Sequence, residues 1–232
     1  MKNLFSIKGK VALVTGGSRG IGEMIAAGFL ANGAKVYISS RKAEVCDATA
    51  KRLQDEYGGE CISLPGDLSN LDGINALRDM LPADEALDIL VNNAGASWGE
   101  PIDEYSEKGW DKVMDTNVKG VFFLTQQLLP KLRESGNAED PARVINIGSI
   151  DGIKTGTFDA FSYGPSKAAL HHLTRVLAAS LVKENIIVNA IAPGPFPTWM
   201  LSTGVGGAVT LISIGLRLEM PIQEEELELR KT

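Results

Sequence analysis

Short stretches rich in β-branched residues alternate with longer stretches of helical periodicity, and this alternation constrains the fold more than any other feature. Strands separated by helices pair in parallel, with right-handed crossovers. Several stretches are apolar almost throughout, as strands buried on both faces are. The six predicted strands are Val11–Thr15, Ala34–Ser39, Cys61–Leu64, Leu87–Val91, Ala142–Ile147 and Ile186–Ile191. The pattern predicts an α/β protein with a doubly wound parallel sheet and helices on both faces.

Two of the predicted helices are longer and more apolar than a sheet-facing helix requires. The first helix, Ile21–Asn32, stops at an Asn–Gly pair and completes a strand–helix–strand unit. The two longer helices cover about Trp110–Glu134 and Ser166–Glu184. Because their apolar residues exceed one stripe, we expect a second face of each to pack against another subunit. The sequence therefore predicts a homo-oligomer.

Charge and composition limit the possible partners. The 232 residues include 23 Lys and Arg against 29 Asp and Glu, a net charge of -6 that repels polyanions, so no nucleic-acid partner is expected. No apolar stretch approaches the ~18 residues that span a bilayer, and no signal-peptide pattern is present, which predicts a cytoplasmic protein without a membrane partner. The two cysteines, Cys46 and Cys61, are expected to be reduced and structural.

A glycine-rich turn lies directly between the first strand and the first helix. Glycine lets the backbone turn sharply and approach a pyrophosphate, and a helix N-terminus presents N–H groups to an anion. A tight strand-to-helix connection would also use glycine, but the strand–turn–helix position favours a dinucleotide site. The predicted cofactor contacts in the turn are Gly16, Ser18, Arg19, Gly20, Ile21 and Gly22.

The residues after the second strand indicate which dinucleotide is bound. At the position where NAD-binding proteins carry an acidic residue on the ribose, the sequence reads Ser39-Ser40-Arg41-Lys42. No carboxylate is there to repel a 2′-phosphate, and Arg19 and Arg41 can clamp that phosphate from two sides. The alternative is that Arg41 and Lys42 form a solvated helix start. We predict NADP(H) rather than NAD(H).

The spacing Gly16-x-x-x-Gly20-x-Gly22 resembles that of the short-chain dehydrogenase/reductase family, and further motifs of that family follow in order. Asn92-Asn93-Ala94-Gly95 follows the fourth strand, and Tyr163-Gly164-Pro165-Ser166-Lys167 opens the last long helix. The resemblance covers roughly Ile7 to Leu201 and implies a Rossmann-like fold. The further cofactor contacts that it implies are Asp67, Leu68, Asn93, Ala94, Gly95, Tyr163, Lys167, Pro193, Gly194, Phe196 and Thr198.

Four residues form the predicted catalytic group. Tyr163 and Lys167 share one helical face, and because tyrosine titrates near pH ~10 it needs a neighbouring cation to work as an acid–base group. Ser149, at the end of the fifth strand, can donate a hydrogen bond to the carbonyl oxygen that receives the proton from Tyr163. The resemblance implies that Asn117 holds a water linking the lysine to solvent. Singly, each residue suits a packing, capping or surface role.

Within the family, the segments 142–149 and 163–170 look like those of the rhamnolipid-type 3-oxoacyl-[acyl-carrier-protein] reductases. This resemblance implies an NADPH-dependent oxidoreductase that reduces a carbonyl, a 3-oxoacyl thioester in the first instance, to a secondary alcohol, and a dimer or tetramer. The alternatives are a small-alcohol or sugar dehydrogenase, and a catalytically impaired homologue that acts by binding only. The adjacent His171 and His172 point about 100° apart, which predicts packing roles rather than a metal site.

The chain departs from the family pattern after about Leu201. A family member continues through a substrate-covering loop, a helix and a seventh strand, whereas residues 202–232 form a divergent tail with an acidic end. Residues Leu211–Thr232 can be back-translated with codons that, read in another frame, encode the segment that usually precedes the family's final helix. A shifted reading frame after about Gly207 is therefore a hypothesis. We expect residues 1–201 to form the reductase domain and the sheet to lack the family's seventh strand.

Overall fold

A computed structural model describes residues 5–155 and 159–196 and contains a parallel six-stranded sheet. The strand order is β3-β2-β1-β4-β5-β6. The chain adds strands towards one edge up to β3 and then returns to add β4 on the other side of β1, so the switch point lies between β1 and β4. The strands are β1 Val11–Thr15, β2 Lys35–Ser39, β3 Cys61–Ser63, β4 Ile89–Asn92, β5 Ala142–Ile147 and β6 Ile186–Ile191. The predicted doubly wound parallel sheet is confirmed, and ligands of such sheets bind at the carboxyl ends of the strands, where the order reverses.

Helices cover both faces of the sheet, as the apolar strands require. They are α1 Gly20–Ala31, α2 Ala43–Tyr57, α3 Leu71–Met80, α4 Glu107–Met114, α5 Gly120–Ser135 and α6 Tyr163–Leu181. Successive residues of a strand face opposite sides. Leu13 of β1 accordingly packs in one core with Leu128 of α5, while Val14 packs in the other with Leu30 of α1 and Leu53 of α2.

The long helix predicted over Trp110–Glu134 is interrupted. Between α4 and α5 the chain forms a π-helical turn of five residues, Asp115–Lys119, with Asn117 buried inside it. Such turns occur mostly as single-turn bulges within helices, frequently at functional sites. At the start of α5 a side-chain carbon on Gly120 would lie 2.2 Å from the carbonyl oxygen of Leu68, so only glycine fits against the loop after β3.

The last described strand, β6, pairs with β5 from Ala142 opposite Ile186 to Ile147 opposite Ile191. The predictions about the seventh strand, the tail after Leu201 and Thr198 lie outside the described residues.

Cys46 and Cys61 are both buried and form no disulfide. Among the helices of residues 5–155 and 159–196, none is long and apolar enough to cross a membrane.

Candidate active site

The glycine-rich turn between β1 and α1 is closed so tightly that its glycines are required. Gly16 and Gly20 have positive φ angles of 63° and 58°, which L side chains rarely adopt. A side-chain carbon on Gly22 would lie 2.3 Å from the carbonyl oxygen of Gly16. Because α1 begins at Gly20, its first N–H groups, which have no carbonyl partner within the helix, lie at this turn. The turn therefore has the geometry of an anion site.

The loop after β4 is fastened to the glycine-rich turn by Asn93 and Thr15. The Asn93 side chain donates to the carbonyl oxygens of Thr15 at 2.9 Å and Gly16 at 3.2 Å. The Thr15 hydroxyl accepts the backbone N–H groups of Asn93 and Ala94, each at 3.0 Å. Asn93 thus shapes the crevice between β1 and β4 through its side-chain amide, and Gly95 follows two residues later.

The carboxyl ends of β2 and β3 fit the adenosine half of a dinucleotide. The hydroxyls of Ser39 and Ser63 are buried there without a hydrogen-bond partner among the described residues. Arg41, two residues after Ser39, and Asp67, four residues after Ser63, are exposed, and no carboxylate stands between Ser39 and Ala43, where α2 begins. Orphaned buried hydroxyls together with an exposed cation are the features expected at a site for a phosphorylated ribose.

The predicted acid–base pair opens α6 behind this crevice. Tyr163 is the first residue of the helix, and Lys167 follows one turn later, only 4% exposed. The Lys167 ammonium donates to the carbonyl oxygen of Ile147 at 2.8 Å and lies 5.7 Å from the centre of the Tyr163 ring. Ser149 is buried just after β5, and its hydroxyl accepts the backbone N–H of Asp151 at 3.1 Å.

Burial controls the ionisation of both groups. It raises the pKa of the Tyr163 phenol, against a smaller lowering by a hydrogen bond from Ser149, and the nearby Asp151 carboxylate raises the pKa further. Burial lowers the pKa of Lys167 to about 8. Desolvation, rather than the charge of Lys167, sets the direction of the tyrosine pKa in this arrangement, because a poorly solvated site disfavours phenolate and ammonium alike. Tyr163 is therefore protonated at neutral pH.

Asn117 connects the site to the rest of the fold. Its side chain accepts from the backbone N–H of Ala96 at 2.8 Å and donates to the carbonyl oxygen of Ala96 at 2.9 Å. Its other amide hydrogen goes to the Ser166 hydroxyl at 2.9 Å, which in turn donates to the carbonyl oxygen of Tyr163 at 2.7 Å. Both amide hydrogens of Asn117 therefore brace the segment after β4 and the first turn of α6.

A sequence model of the short chain dehydrogenase family matches residues 10–204. The chain belongs to the short-chain dehydrogenase family. This short-chain dehydrogenase is 56% identical over 201 residues to the rhamnolipids biosynthesis 3-oxoacyl-[acyl-carrier-protein] reductase of Pseudomonas aeruginosa, covering 86% of this chain and 78% of that protein. It is 38% identical over 200 residues to 2-dehydro-3-deoxy-D-gluconate 5-dehydrogenase of Dickeya dadantii, covering 84% and 75%.

Solved structures agree with the predicted family and fold. The dehydrogenase is similar to the RhlG/NADP active-site complex of Pseudomonas aeruginosa, with a TM-score of 0.82 and 55% identity over 88% of this chain and 79% of that chain. It is also similar to L-sorbose reductase of Gluconobacter frateurii complexed with NADPH and L-sorbose, with a TM-score of 0.78 and 31% identity over 83% and 72%. These likenesses confirm the Rossmann-like sheet.

The fold of the dehydrogenase brings the predicted catalytic residues together. A side-chain carbon on Gly95 would lie 3.4 Å from the Asn117 side-chain oxygen and 3.6 Å from the Lys167 ammonium. The loop after β6, which carries Pro193, Gly194 and Phe196, joins the same site because the Pro193 carbonyl oxygen accepts the backbone N–H of Ile150 at 3.1 Å. The predicted contact Thr198 lies outside the described residues.

His171 lies one helical turn after Lys167 and packs against Gly148. A side-chain carbon added to Gly148 would lie 2.0 Å from the Nε2 atom of His171. His172 is exposed. In the described part of the chain, no group of three or more His, Cys, Asp or Glu side chains could hold a metal ion. The His171 ring thus packs against Gly148, and its Nε2 is buried without a hydrogen-bond partner among the described residues.

Three polar residues of the site were missed by the sequence reasoning. Ser166 braces Asn117 against Tyr163, and its position three residues after Tyr163 in a helix was an available signal. Ser162 and Tyr105 hydrogen-bond each other across 57 positions of sequence. A contact of that range leaves no local pattern.

Proposed function

We propose that this dehydrogenase uses NADPH to reduce a carbonyl compound, a 3-oxoacyl thioester, to a secondary alcohol. The observation that carries the proposal is the group at the start of α6, where the half-buried Tyr163 lies near Ser149 and its ring centre is 5.7 Å from the Lys167 ammonium. When bound, the cofactor would supply the hydride. Tyr163 gives its proton to the carbonyl oxygen, and Ser149 donates a hydrogen bond to the same oxygen. Lys167 holds positive charge nearby. Both amide hydrogens of Asn117 are already used, so a water that links the lysine to solvent would have to donate to Asn117.

The proposed cofactor site follows the crevice from end to end. The turn after β1 holds the pyrophosphate, Arg19 and Arg41 hold the 2′-phosphate, and the residues after β3 hold adenine. Relatives solved with NADP or NADPH support this choice of dinucleotide. The residues of the site are Gly16, Ser18, Arg19, Gly20, Ile21, Gly22, Arg41, Asp67, Leu68, Asn93, Ala94, Gly95, Tyr163, Lys167, Pro193, Gly194, Phe196 and Thr198.

Reversing the charge of Arg41 is expected to reverse the cofactor preference. Arg41→Asp places a carboxylate where the 2′-phosphate binds, and like-charge juxtaposition costs several kcal/mol, so the ratio of kcat/KM for NADPH over NADH falls by roughly 100-fold or more. The exposed Lys183, just before β6, provides the control Lys183→Asp, which keeps the preference. An Arg41→Asp variant that still prefers NADPH to the original degree would show that Arg19 or another cation carries the discrimination.

Two relatives that act on different classes of substrate indicate which substrate this dehydrogenase uses. The 3-oxoacyl reductase is the more similar in sequence, at 56% identity against 38% for the sugar-acid dehydrogenase. The sequence also offers three apolar residues, Trp98, Phe196 and Trp199, as a rim for an acyl chain. Phe196 is 45% exposed beside the site, whereas Trp199 lies outside the described residues. Trp98 packs on α4, where a side-chain carbon on Gly109 would lie 2.2 Å from its indole.

A substrate panel separates the acyl and sugar alternatives. We expect initial rates with NADPH to be highest for 3-oxoacyl thioesters and to rise with acyl chain length, because each buried methylene contributes about 0.8 kcal/mol. The matched set is a series of keto-sugars and keto-acids under the same conditions. A clear preference for the polyhydroxylated ketones would replace the acyl assignment with the sugar dehydrogenase alternative.

An impaired homologue that acts by binding only is the second candidate, favoured by the end of the family match at residue 204 of 232. Tight NADPH binding without reduction of any ketone would support it.

The proposed frame shift after about Gly207 is tested by sequencing the transcript, and a confirmed frame without a nearby insertion or deletion removes it. Residues 1–201 as the reductase domain, a cytoplasmic location and the absence of a nucleic-acid partner stay predictions.

We further propose that the protein pairs through the outer faces of α5 and α6, chiefly Gln126–Leu132 and Ala168–Leu181, as a dimer or a tetramer with two-fold symmetry. Phe122 of α5 is 36% exposed and Val176 of α6 is 51% exposed, on helices whose other faces cover the sheet. Light scattering at several concentrations should give a dimer or larger closed species, and Val176→Glu should shift it towards monomer. A monomer at every concentration contradicts this interface, and heterogeneous large species would point to association through β6.

A further inference from the structure

The first turn of α6 begins with a serine that does not cap its own helix. Ser162 stands at the N-cap position, where serine side chains usually accept a backbone N–H of the first turn, but its hydroxyl makes no such bond. It lies instead 2.6 Å from the hydroxyl of Tyr105, to which the backbone N–H of Ser162 also donates at 3.3 Å. Ser162 is fully buried, and among the described residues both groups bond to this one phenol.

Tyr105 also reaches the segment after β4. Its hydroxyl donates to the carbonyl oxygen of Trp98 at 3.2 Å, and its ring meets that of Phe161 edge to face at 5.5 Å. A carbonyl oxygen only accepts, so the single phenolic hydrogen goes to Trp98 and the Ser162 hydroxyl donates to the phenol oxygen. Both hydroxyl hydrogens are then matched with an acceptor. Tyr105 joins the Trp98 segment to the start of α6.

These contacts hold Tyr163 on one side while Asn117 holds it on the other. Asn117 reaches the helix through Ser166, three residues after Tyr163, whereas Tyr105 reaches it through Ser162, the residue before. We propose that Tyr105 is a positioning residue for carbonyl reduction: its hydroxyl fixes the start of α6 and so places the Tyr163 phenol beside Ser149. This inference rests on the proposed function.

Loss of the Tyr105 hydroxyl would leave the Ser162 N–H and hydroxyl buried without a partner. An unsatisfied buried donor is costly enough that the first turn of α6 is expected to shift towards other acceptors. A displacement of about 1 Å at a reacting group can cost about 10²-fold in rate. The effect should fall on the chemical step, since neither Tyr105 nor Ser162 lies in the proposed cofactor site.

The test uses Tyr105→Phe, which removes one oxygen and keeps the ring contact with Phe161. We expect kcat to fall by roughly 10- to 100-fold, with NADPH affinity unchanged and a larger primary deuterium isotope effect from 4-deuterated NADPH. A merely structural loss would lower the active fraction and leave the isotope effect unchanged. Tyr57→Phe removes the same atom from an exposed tyrosine at the end of α2 and serves as the control.

A double-mutant cycle with Ser162→Ala identifies the bond. If the two residues act through it, the double variant loses little more than the worse single variant. Faster exchange of the backbone amides of residues 162–164, 166 and 167 in Tyr105→Phe gives a readout independent of turnover. The inference is overturned if Tyr105→Phe keeps the wild-type kcat and isotope effect. It is also overturned if backbone amide exchange becomes faster while kcat stays unchanged. Failure of the unsubstituted protein to reduce any carbonyl overturns the proposed function instead.

Discussion

Tyr163→Phe is expected to lower the turnover of carbonyl reduction by ~10²–10⁴-fold, the range that general acid catalysis contributes. The substitution removes the only proton that Tyr163 can give and keeps the ring at the start of α6. Burial raises the pKa of this phenol, so the unsubstituted enzyme carries the proton at neutral pH. Steady-state kinetics at saturating NADPH, together with an NADPH titration, measure the loss of turnover and the retained binding.

The control is again Tyr57→Phe, which loses the same oxygen at a distance from the crevice and should keep full turnover. A Tyr163→Phe variant with unchanged kcat would exclude Tyr163 as the acid. A variant that loses NADPH affinity along with turnover would show that the hydroxyl also contributes to cofactor binding, since an interaction made only in the transition state lowers kcat without weakening binding.

Lys167→Met is expected to abolish turnover and, at the same time, to stabilise the fold at neutral pH. Burial lowers the pKa of Lys167 from 10.5 to about 8, so the folded chain carries a charge that its surroundings disfavour. Methionine removes that charge but leaves the carbonyl oxygen of Ile147 without its ammonium donor. The net gain should be on the order of 1–2 kcal/mol in the free energy of unfolding. Denaturant titration of both proteins measures it.

The pH dependence gives this prediction its sign. Below a pH of about 8 the lysine is charged in both states and the penalty is complete. Between about 8 and 10.5 the unfolded chain binds more protons than the folded one, so the stability of the unsubstituted protein rises with pH and approaches that of Lys167→Met. A Met variant that is the less stable of the two at neutral pH, or a gap that widens in alkali, would show that the charge stabilises the fold.

The same titration should appear in the kinetics. If the ammonium is needed for reduction, kcat/KM falls as pH rises through about 8, because this parameter reports ionisations of the free enzyme.

The strands, the glycine-rich turn and the Tyr163–Lys167 pair could be predicted because each depends on neighbouring residues. β1 and β5 lie where the apolar runs placed them, and β4 begins two residues later than predicted, at Ile89. The π-helical turn at Asp115–Lys119 could not be predicted, since its apolar spacing reads as continuous helix. Asn117 inside this turn makes two bonds with Ala96, and that contact depends on the folded sheet.

The electrostatics and the bracing of the site also depend on tertiary structure. The sequence places a lysine one turn from Tyr163, but only its burial decides that its pKa falls and that the tyrosine pKa rises. Likewise, the Tyr105–Ser162 contact forms only when the segment after β4 meets the start of α6.

Transfer of deuterium from 4-deuterated NADPH to a 3-oxoacyl thioester tests the central claim most directly. Cofactors labelled on either face of the nicotinamide are incubated with the protein and the thioester, and the products are analysed by mass spectrometry. The account predicts a 3-hydroxyacyl thioester that carries one deuterium at C3 with one of the two cofactors, and no such product from Tyr163→Phe in the same time. Bound NADPH without any labelled alcohol from either cofactor would contradict it.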